Sequence, residues 1–393
     1  MKKEISAVSK KLDVIFERTA QKLPGKQLIA HVERGDGEVR WSAAAGKASD
    51  GSAVTSETPY FIASIDKLMN AALLLQLAEK KIISLDAPMV EYLPEAFTDG
   101  LHVFKGTDYT PKITLRHLIT HTSGLADWYE DFPKDGKNLV EEIIVKGDRD
   151  LAPEEMLDYV RIKLTPNFEP QPIKDWLGAI SANQKGGSGR FRIKTRYTDT
   201  GFILICIIIE AVTGQPLEKL HHDLIYSPLG MNHTWLAHRT NPAADVNSHL
   251  PLLAAGKPVE IPRMLRSVWG VYSTSGDMIA FLKALYHGKL FNNPETRESM
   301  FSGWHRFGFP TDRASVRLPG WPIAYSHGAM HFRLPRLFSP MKPIPEVTGH
   351  TGSSGCWLFY CPQQDLYFAG AADDLTAGAL PFRIVPAMLK LFI

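Results

Sequence analysis

Apolar residues keep helical spacing over residues 5–23, where Ile5, Val8, Leu12, Ile15, Phe16 and Leu23 recur, so the chain is expected to open with an amphipathic helix. Segments 28–33 and 38–45 flank Arg34-Gly35-Asp36-Gly37, and an Asp-Gly turn between two such runs predicts a β-hairpin. Residues 68–80 carry Ala71, Ala72, Leu73, Leu74, Leu75 and Leu77, with no Gly or Pro before Pro88. This predicts a long helix ending near Ile83. Thr114 as N-cap and Gly124 as stop frame another helix, and residues 153–161 a short one. Residues 197–214 open on a polar turn and run into a very apolar helix closed by Thr213-Gly214 and Pro216. A Gly/Ser-rich approach over 267–277 leads to a helix over 278–287. Segments 346–353, 356–360 and 365–371 read as strands, and 380–391 as a final helix. Strands gather at both ends of the chain and helices fill its middle. The expected fold is therefore α/β in the α+β sense: one antiparallel sheet built from both termini, with a mostly helical region inserted. Residues 1–60 and about 260–393 would form the sheet region, and about 61–259 the helical one.

Composition adds limits rather than direction. The 393 residues are 44% hydrophobic and 22% charged, enough for a sizeable core. The 44 basic and 42 acidic residues leave a formal charge of +2, which gives no reason to expect a nucleic-acid or anionic-membrane partner. Cys206, Cys356 and Cys361 show no metal spacing, and an odd count speaks against a disulfide framework. The first residues lack the apolar core of a secretory signal, and the longest apolar run, residues 202–209, is far short of a membrane span. A soluble, cytoplasmic protein without a cofactor is the expectation; oligomeric state is not legible.

Three stretches could carry chemistry. Ser64-Ile65-Asp66-Lys67 stands at the head of the 68–80 helix. If that helix starts at Ser64, the hydroxyl lies at its positive end and Lys67 one turn along the same face, within reach. A second Ser-x-x-Lys, Ser339-Pro340-Met341-Lys342, sits among prolines that forbid a regular helix, so its lysine has no reason to face its serine. Arg196-Tyr197-Thr198-Asp199 lies just before the apolar helix. A phenol with a pKa near ~10 could shuttle a proton there only beside a cation such as Lys67. Gly349-His350-Thr351-Gly352-Ser353-Ser354-Gly355 reads either as a plain turn between strands or as a sheet edge whose N–H helps to form an oxyanion hole with that of Ser64.

Taken in order, Ser64 to Lys67, Tyr197-Thr198-Asp199 and His350-Thr351-Gly352 resemble the motifs of the serine β-lactamase and penicillin-binding-protein superfamily. The resemblance is greatest to its class C β-lactamase-like branch, with its carboxylesterases, D-alanyl-D-alanine carboxypeptidases and D-aminopeptidases. The segment Thr114-Leu115-Arg116-His117-Leu118-Ile119-Thr120-His121-Thr122-Ser123-Gly124-Leu125 is similar to a characteristic phrase of that branch, as are residues 227–231 and 270–277. The match covers about residues 10–390. It implies Ser64 as nucleophile, Lys67 as its activating neighbour, Tyr197 as general base, the N–H groups of Ser64 and Ser353 as oxyanion hole, and His350, Thr351, Gly352 and Asp199 as substrate-facing positions. The implied activity is hydrolysis of small esters or amides through an acyl-enzyme.

Two positions depart from the pattern. The middle motif usually ends in Asn, and here it is Asp199; an ionised Asp cannot donate to a substrate carbonyl. The third often begins with Lys, and here it is His350, which attracts a carboxylate less when neutral. Potent β-lactamase action is thus disfavoured, and Asp199 is expected to hold Lys67 charged. D-amino acid-specific peptidase, amidase or weak β-lactamase activity is the alternative, and a non-catalytic binding protein that kept the fold is another. Residues 166–195 are expected to form a long irregular loop. His117/His121 and His327/His331 have a four-residue spacing that suits a metal on a helix, but no His-Glu-x-x-His occurs, so they read as structural. No Gly-x-Ser-x-Gly appears, which argues against an α/β-hydrolase.

Overall fold

The computed structural model describes residues 2–134, 136–171, 193–314, 316, 318–339 and 342–393. Its principal elements, in chain order, are helix α1 (Lys2–Lys22), strands β1 (Leu28–Arg34), β2 (Arg40–Ala45) and β3 (Tyr60–Phe61), and helices α2 (Asp66–Glu79), α3 (Leu115–Ile119), α4 (Pro153–Lys163) and α5 (Asp199–Thr213). Strands β4 (Trp235–Leu236) and β5 (Val271–Ser273), helix α6 (Ser275–Tyr286), strands β6 (Val347–Thr351), β7 (Cys356–Cys361) and β8 (Leu366–Ala371), and helix α7 (Pro381–Leu389) complete the set. The chain divides into two units. The first comprises Met1–Leu68, His222–Lys289 and His331–Ile393, the second Met69–His221 and Leu290–Met330. Residues 222–259, which the sequence groups with the helical region, lie in the first unit. Pairing of β4 with β5 and the bond from Leu253 N to Asp373 O (2.7 Å) hold them there.

In the first unit an antiparallel sheet runs in the order β6-β7-β8-β1-β2. N- and C-terminal segments thus meet in one sheet, as their apolar patterns suggest. Trp357, Leu358 and Phe359 of β7 and Leu366, Tyr367 and Phe368 of β8 are all essentially inaccessible. Central strands covered on both faces need not alternate, which is why these two read as continuous apolar runs. Helix α6 packs on β7, β8 and β1, and α1 packs on α7, β1 and β2. Thr274 caps α6 by accepting from Asp277 N at 3.2 Å.

The second unit is built around α5. Thr198 is its N-cap, Gly214 ends it at φ +62, and its residues Thr200 to Ile209 are buried. A helix apolar on every side belongs inside a core. It packs on α3, where a Cβ at Gly201 would come within 3.2 Å of Leu118 O. Helix α3 keeps the expected Thr114 cap but stops at Ile119, not at Gly124. The Thr120 hydroxyl donates back to Arg116 O at 2.6 Å and His121 adopts φ +57, so the chain leaves the helix early. Of the long loop expected over 166–195, residues 172–192 lie outside the described residues. Its first part is pinned by Asn167 N to Gly124 O (2.8 Å) and Gln171 N to Thr122 O (3.2 Å). Among the described residues no single helix is long and apolar enough to cross a membrane.

Candidate active site

Strand β3 pairs with β5 and hands the chain to a 3-10 turn, Ala63–Ile65, which runs into α2. Ser64 therefore sits in the turn, two residues ahead of the α-helix, rather than opening it as the sequence suggests. The geometry still delivers the expected contact: Lys67 Nζ donates to Ser64 Oγ at 3.0 Å. Lys67 is buried and Ser64 half-buried, so the amine is shielded while the hydroxyl can be reached. Ala63, just before it, holds φ +44, a conformation that costs an L-residue roughly 1–2 kcal/mol. Surrounding contacts hold it there. The turn packs on β6 and β7, Cys356 Sγ donates to Ile62 O at 3.0 Å, and Ser354 Oγ donates to Phe61 O at 3.3 Å.

Strand β6 carries the third motif. His350 is fully buried, and its Nδ1 donates to Thr351 O at 2.6 Å. Burial first, and then the charge of Lys67, pushes its pKa down to about 3. The imidazole is accordingly neutral at physiological pH and offers no cation at a position where the family pattern often has one. Gly352 follows β6 and opens a turn in which Gly352 N donates to Cys356 O (2.9 Å) and Gly355 N to Gly352 O (3.0 Å). A Cβ at Gly352 would lie 2.4 Å from Cys356 Sγ, 2.7 Å from Ala63 Cβ and 2.9 Å from Ile62 O. The turn thus rests directly on the segment that presents Ser64, and the next residue, Ser353, is exposed. Gly352→Ala is expected to lower the rate of ester hydrolysis by about 10²-fold through displacement of this contact. It should also lower the melting temperature, since overpacking costs about 1–3 kcal/mol. Initial rates and thermal melts check both.

Tyr197 and Asp199 lie in the second unit. Tyr197 is buried, and its ring packs on those of His121 (4.4 Å between centroids), Tyr325 (6.1 Å) and Phe307 (6.4 Å). His121 also accepts from Thr198 N at Nδ1 (3.3 Å), and its carbonyl accepts from Arg196 N (3.1 Å). The segment around His121 is therefore the seat of the Tyr197 motif. Asp199 is the first residue of α5, and its N–H donates to Asp127 Oδ2 at 2.5 Å. Asp127 Oδ1 accepts from Tyr129 N (2.9 Å) and Glu130 N (2.6 Å). Burial, then the charges of Asp199 and Asp131, push Asp127 up to about 8 against these N–H bonds. Arg196 forms a two-pronged ion pair with Asp131, at 2.8 and 2.5 Å.

The first unit thus brings together Ser64, Lys67, His350, Thr351, Gly352 and Ser353, and the second holds Tyr197 and Asp199. The sequence marks the quoted histidines as structural but carries no sign of what His121 supports, and Asp127 and Asp131 stand in no recognisable motif. The metal-like spacings have other occupations. His117 accepts from Thr114 N (3.0 Å) at Nδ1 and donates to Gln171 O (2.6 Å) from Nε2. His327 bonds Ser299 O (2.8 Å) and Arg116 (2.9 Å), while His331 faces Glu346 at 3.2 Å. Ser339 of the second Ser-x-x-Lys is buried, and Lys342 is exposed.

A family model described as Beta-lactamase matches residues 16–379. The chain belongs to the Beta-lactamase family. Among curated relatives, the Esterase EstB of Burkholderia gladioli is 24% identical over 233 residues, covering 58% of this chain and 51% of that protein. The D-alanyl-D-alanine-carboxypeptidase/endopeptidase AmpH of Escherichia coli (strain K12) is 23% identical over 309 residues, covering 78% and 68%. The match with the first of these spans about half of that relative's length. The solved structure of the D-amino acid amidase from Ochrobactrum anthropi SV3 complexed with D-phenylalanine superposes with a TM-score of 0.70 at 19% identity, covering 98% of this chain and 99% of that one. At that identity the likeness shows the fold, a β-lactamase/transpeptidase-like arrangement of helices and antiparallel sheet. Within this Beta-lactamase family chain, the Ser-x-x-Lys bond, the buried neutral His350 and the Gly352 contact are features of the first unit by itself.

Proposed function

We propose that this chain is a serine hydrolase acting on small esters or amides through a covalent acyl-enzyme at Ser64, with carboxylic esters as the preferred class. The observation that carries the reading is the 3.0 Å bond from the shielded Lys67 ammonium to the reachable Ser64 hydroxyl. In the first step Ser64 Oγ attacks the carbonyl carbon, the C–O bond to the alcohol breaks, and the proton lost by Ser64 ends on the leaving alcohol. Lys67 lowers the cost of the developing alkoxide. Tyr197 carries the proton between the two oxygens. The N–H groups of Ser64 and Ser353 bind the oxyanion, a role worth about 3–4 kcal/mol per donor in comparable sites. Water then attacks the acyl carbonyl and releases the acid and Ser64.

His350 supports the ester preference. Neutral and buried beside Lys67, it adds no positive charge to hold a substrate carboxylate, which cell-wall peptides and β-lactams carry. The esterase and amidase named above are consistent with either acyl class. Labelling of the folded protein by a fluorophosphonate probe, with peptide mapping by mass spectrometry, tests the reading. A single adduct on Ser64, together with faster turnover of p-nitrophenyl acetate than of D-phenylalanine amide or nitrocefin, is the expected result. Labelling with the amide or nitrocefin turned over faster would shift the assignment to the D-amino acid peptidase, amidase or β-lactamase class. An unlabelled protein would point to a non-catalytic member of the family.

A further inference from the structure

The end of β8 supplies a buried acid that the Ser64 reading leaves without a role. Asp373 follows β8, is fully buried and takes φ +48, a conformation that a non-glycine residue adopts only when its surroundings dictate it. Its backbone is fixed, with Asp373 O accepting from Leu253 N (2.7 Å) and Gln27 Nε2 (3.4 Å). Its side chain reaches the other way. Asp373 Oδ2 accepts the N–H of Phe61 at 3.1 Å, three residues before Ser64, and the Ser354 hydroxyl lies alongside. Oδ1 has no hydrogen-bond partner among the described residues. The neighbouring backbone joins the same two segments to the end of β8. Asp374 N donates to Ser354 O (2.8 Å), Ala372 N to Gly355 O (3.2 Å), and Ser354 Oγ to Phe61 O (3.3 Å).

These bonds form a closed loop of three segments: 60–62, which leads to Ser64, 352–355, which presents Ser353, and 372–374. Both N–H groups assigned to the oxyanion hole hang from the first two. The Asp373 side chain is the one side chain of the third segment that reaches the Phe61 amide. Burial drives its pKa well above the ordinary carboxylate range.

We propose that Asp373 is a positioning residue for the Ser64 reaction, tying the segment that presents Ser64 to the turn that presents Ser353 and so setting the spacing of the two oxyanion N–H groups. The inference rests on the Ser64 reading. Spacing errors at a reacting centre act on the chemical step, so the effect belongs in kcat rather than KM. It depends on an acceptor at Oδ2, so an amide oxygen should serve in its place.

The test measures p-nitrophenyl acetate hydrolysis by the wild type, Asp373→Ala, Asp373→Asn and Ser354→Ala, each normalised to active sites titrated with the fluorophosphonate, and by Ser64→Ala, normalised to the concentration of folded protein. Asp373→Ala is expected to lose at least about tenfold in kcat per titrated site with KM little changed, and Asp373→Asn to return to within about threefold of wild type. A merely structural role would lower the titrated fraction and the melting temperature while leaving kcat per site intact, and that result overturns the proposal. Failure of Asp373→Asn to restore kcat in a folded protein overturns it as well. If Asp373→Ala does not fold, Ser354→Ala decides: a loss in kcat per site supports the proposal, and a wild-type value overturns it. Full activity in Ser64→Ala removes the nucleophile assignment and this inference together, whereas a dead Ser64→Ala with unaltered Asp373→Ala turnover removes the inference alone.

Discussion

Ser64→Ala is expected to lower kcat/KM for p-nitrophenyl acetate by at least about 10³-fold while leaving the fold intact, because it removes the atom that would form the acyl bond. The structural cost should be small. Ser64 is half-buried in a 3-10 turn, and alanine suits that backbone. The hydrogen bond from Lys67 to Oγ is lost, and a bond of this kind contributes about 1 kcal/mol, or somewhat more to a charged donor. A melting temperature within a few degrees of wild type, with unchanged circular dichroism, would separate chemistry from folding. The variant should also resist the fluorophosphonate entirely. Retention of a tenth of the wild-type rate in homogeneous protein would remove Ser64 from the mechanism. Ser339 is no substitute nucleophile, since it is buried and its would-be lysine faces solvent.

The legibility of this site in the sequence was uneven, for physical reasons. A Ser-x-x-Lys before a Leu-rich helix announces itself, because helical spacing alone puts residues three apart on one face. The sheet strands were legible because β7 and β8 are covered on both faces and so read as unbroken apolar runs. The 3-10 turn was not, since Ala63 at φ +44 is imposed by contacts from β6, β7 and Ser354 that are about 290 residues away. Likewise α3 keeps the length that Thr120 and His121 allow, not the length that Gly124 suggests. The second layer was the least visible. His121, Asp127 and Asp373 act through backbone N–H groups, and those partners leave no mark on residue type. The one local hint was chemical: Asp373-Asp374 and Asp127 are acids in stretches otherwise fit for burial.

Tyr197→Phe is the sharper test of how the proton moves. The substitution removes one oxygen and keeps the ring, so contacts with His121 at 4.4 Å, Tyr325 at 6.1 Å and Phe307 at 6.4 Å persist. The Thr198 cap and the Asp199–Asp127 bond involve backbone and neighbouring side chains, so the seat of the motif is also preserved. A fall in kcat of about 10²–10⁴-fold is expected for loss of a positioned acid–base group, with KM and melting temperature close to wild type. The variant separates two roles for the cation. If Lys67 were the base, Tyr197→Phe would retain most of its rate and Lys67→Met would not. With Tyr197 as base and Lys67 as its charged neighbour, both variants should lose kcat, and the double variant should lose little more than either alone, because groups that act as a unit are not additive. Pre-steady-state rates of acyl-enzyme formation measure this directly. Near-wild-type acylation in Tyr197→Phe would exclude the phenol as the proton carrier.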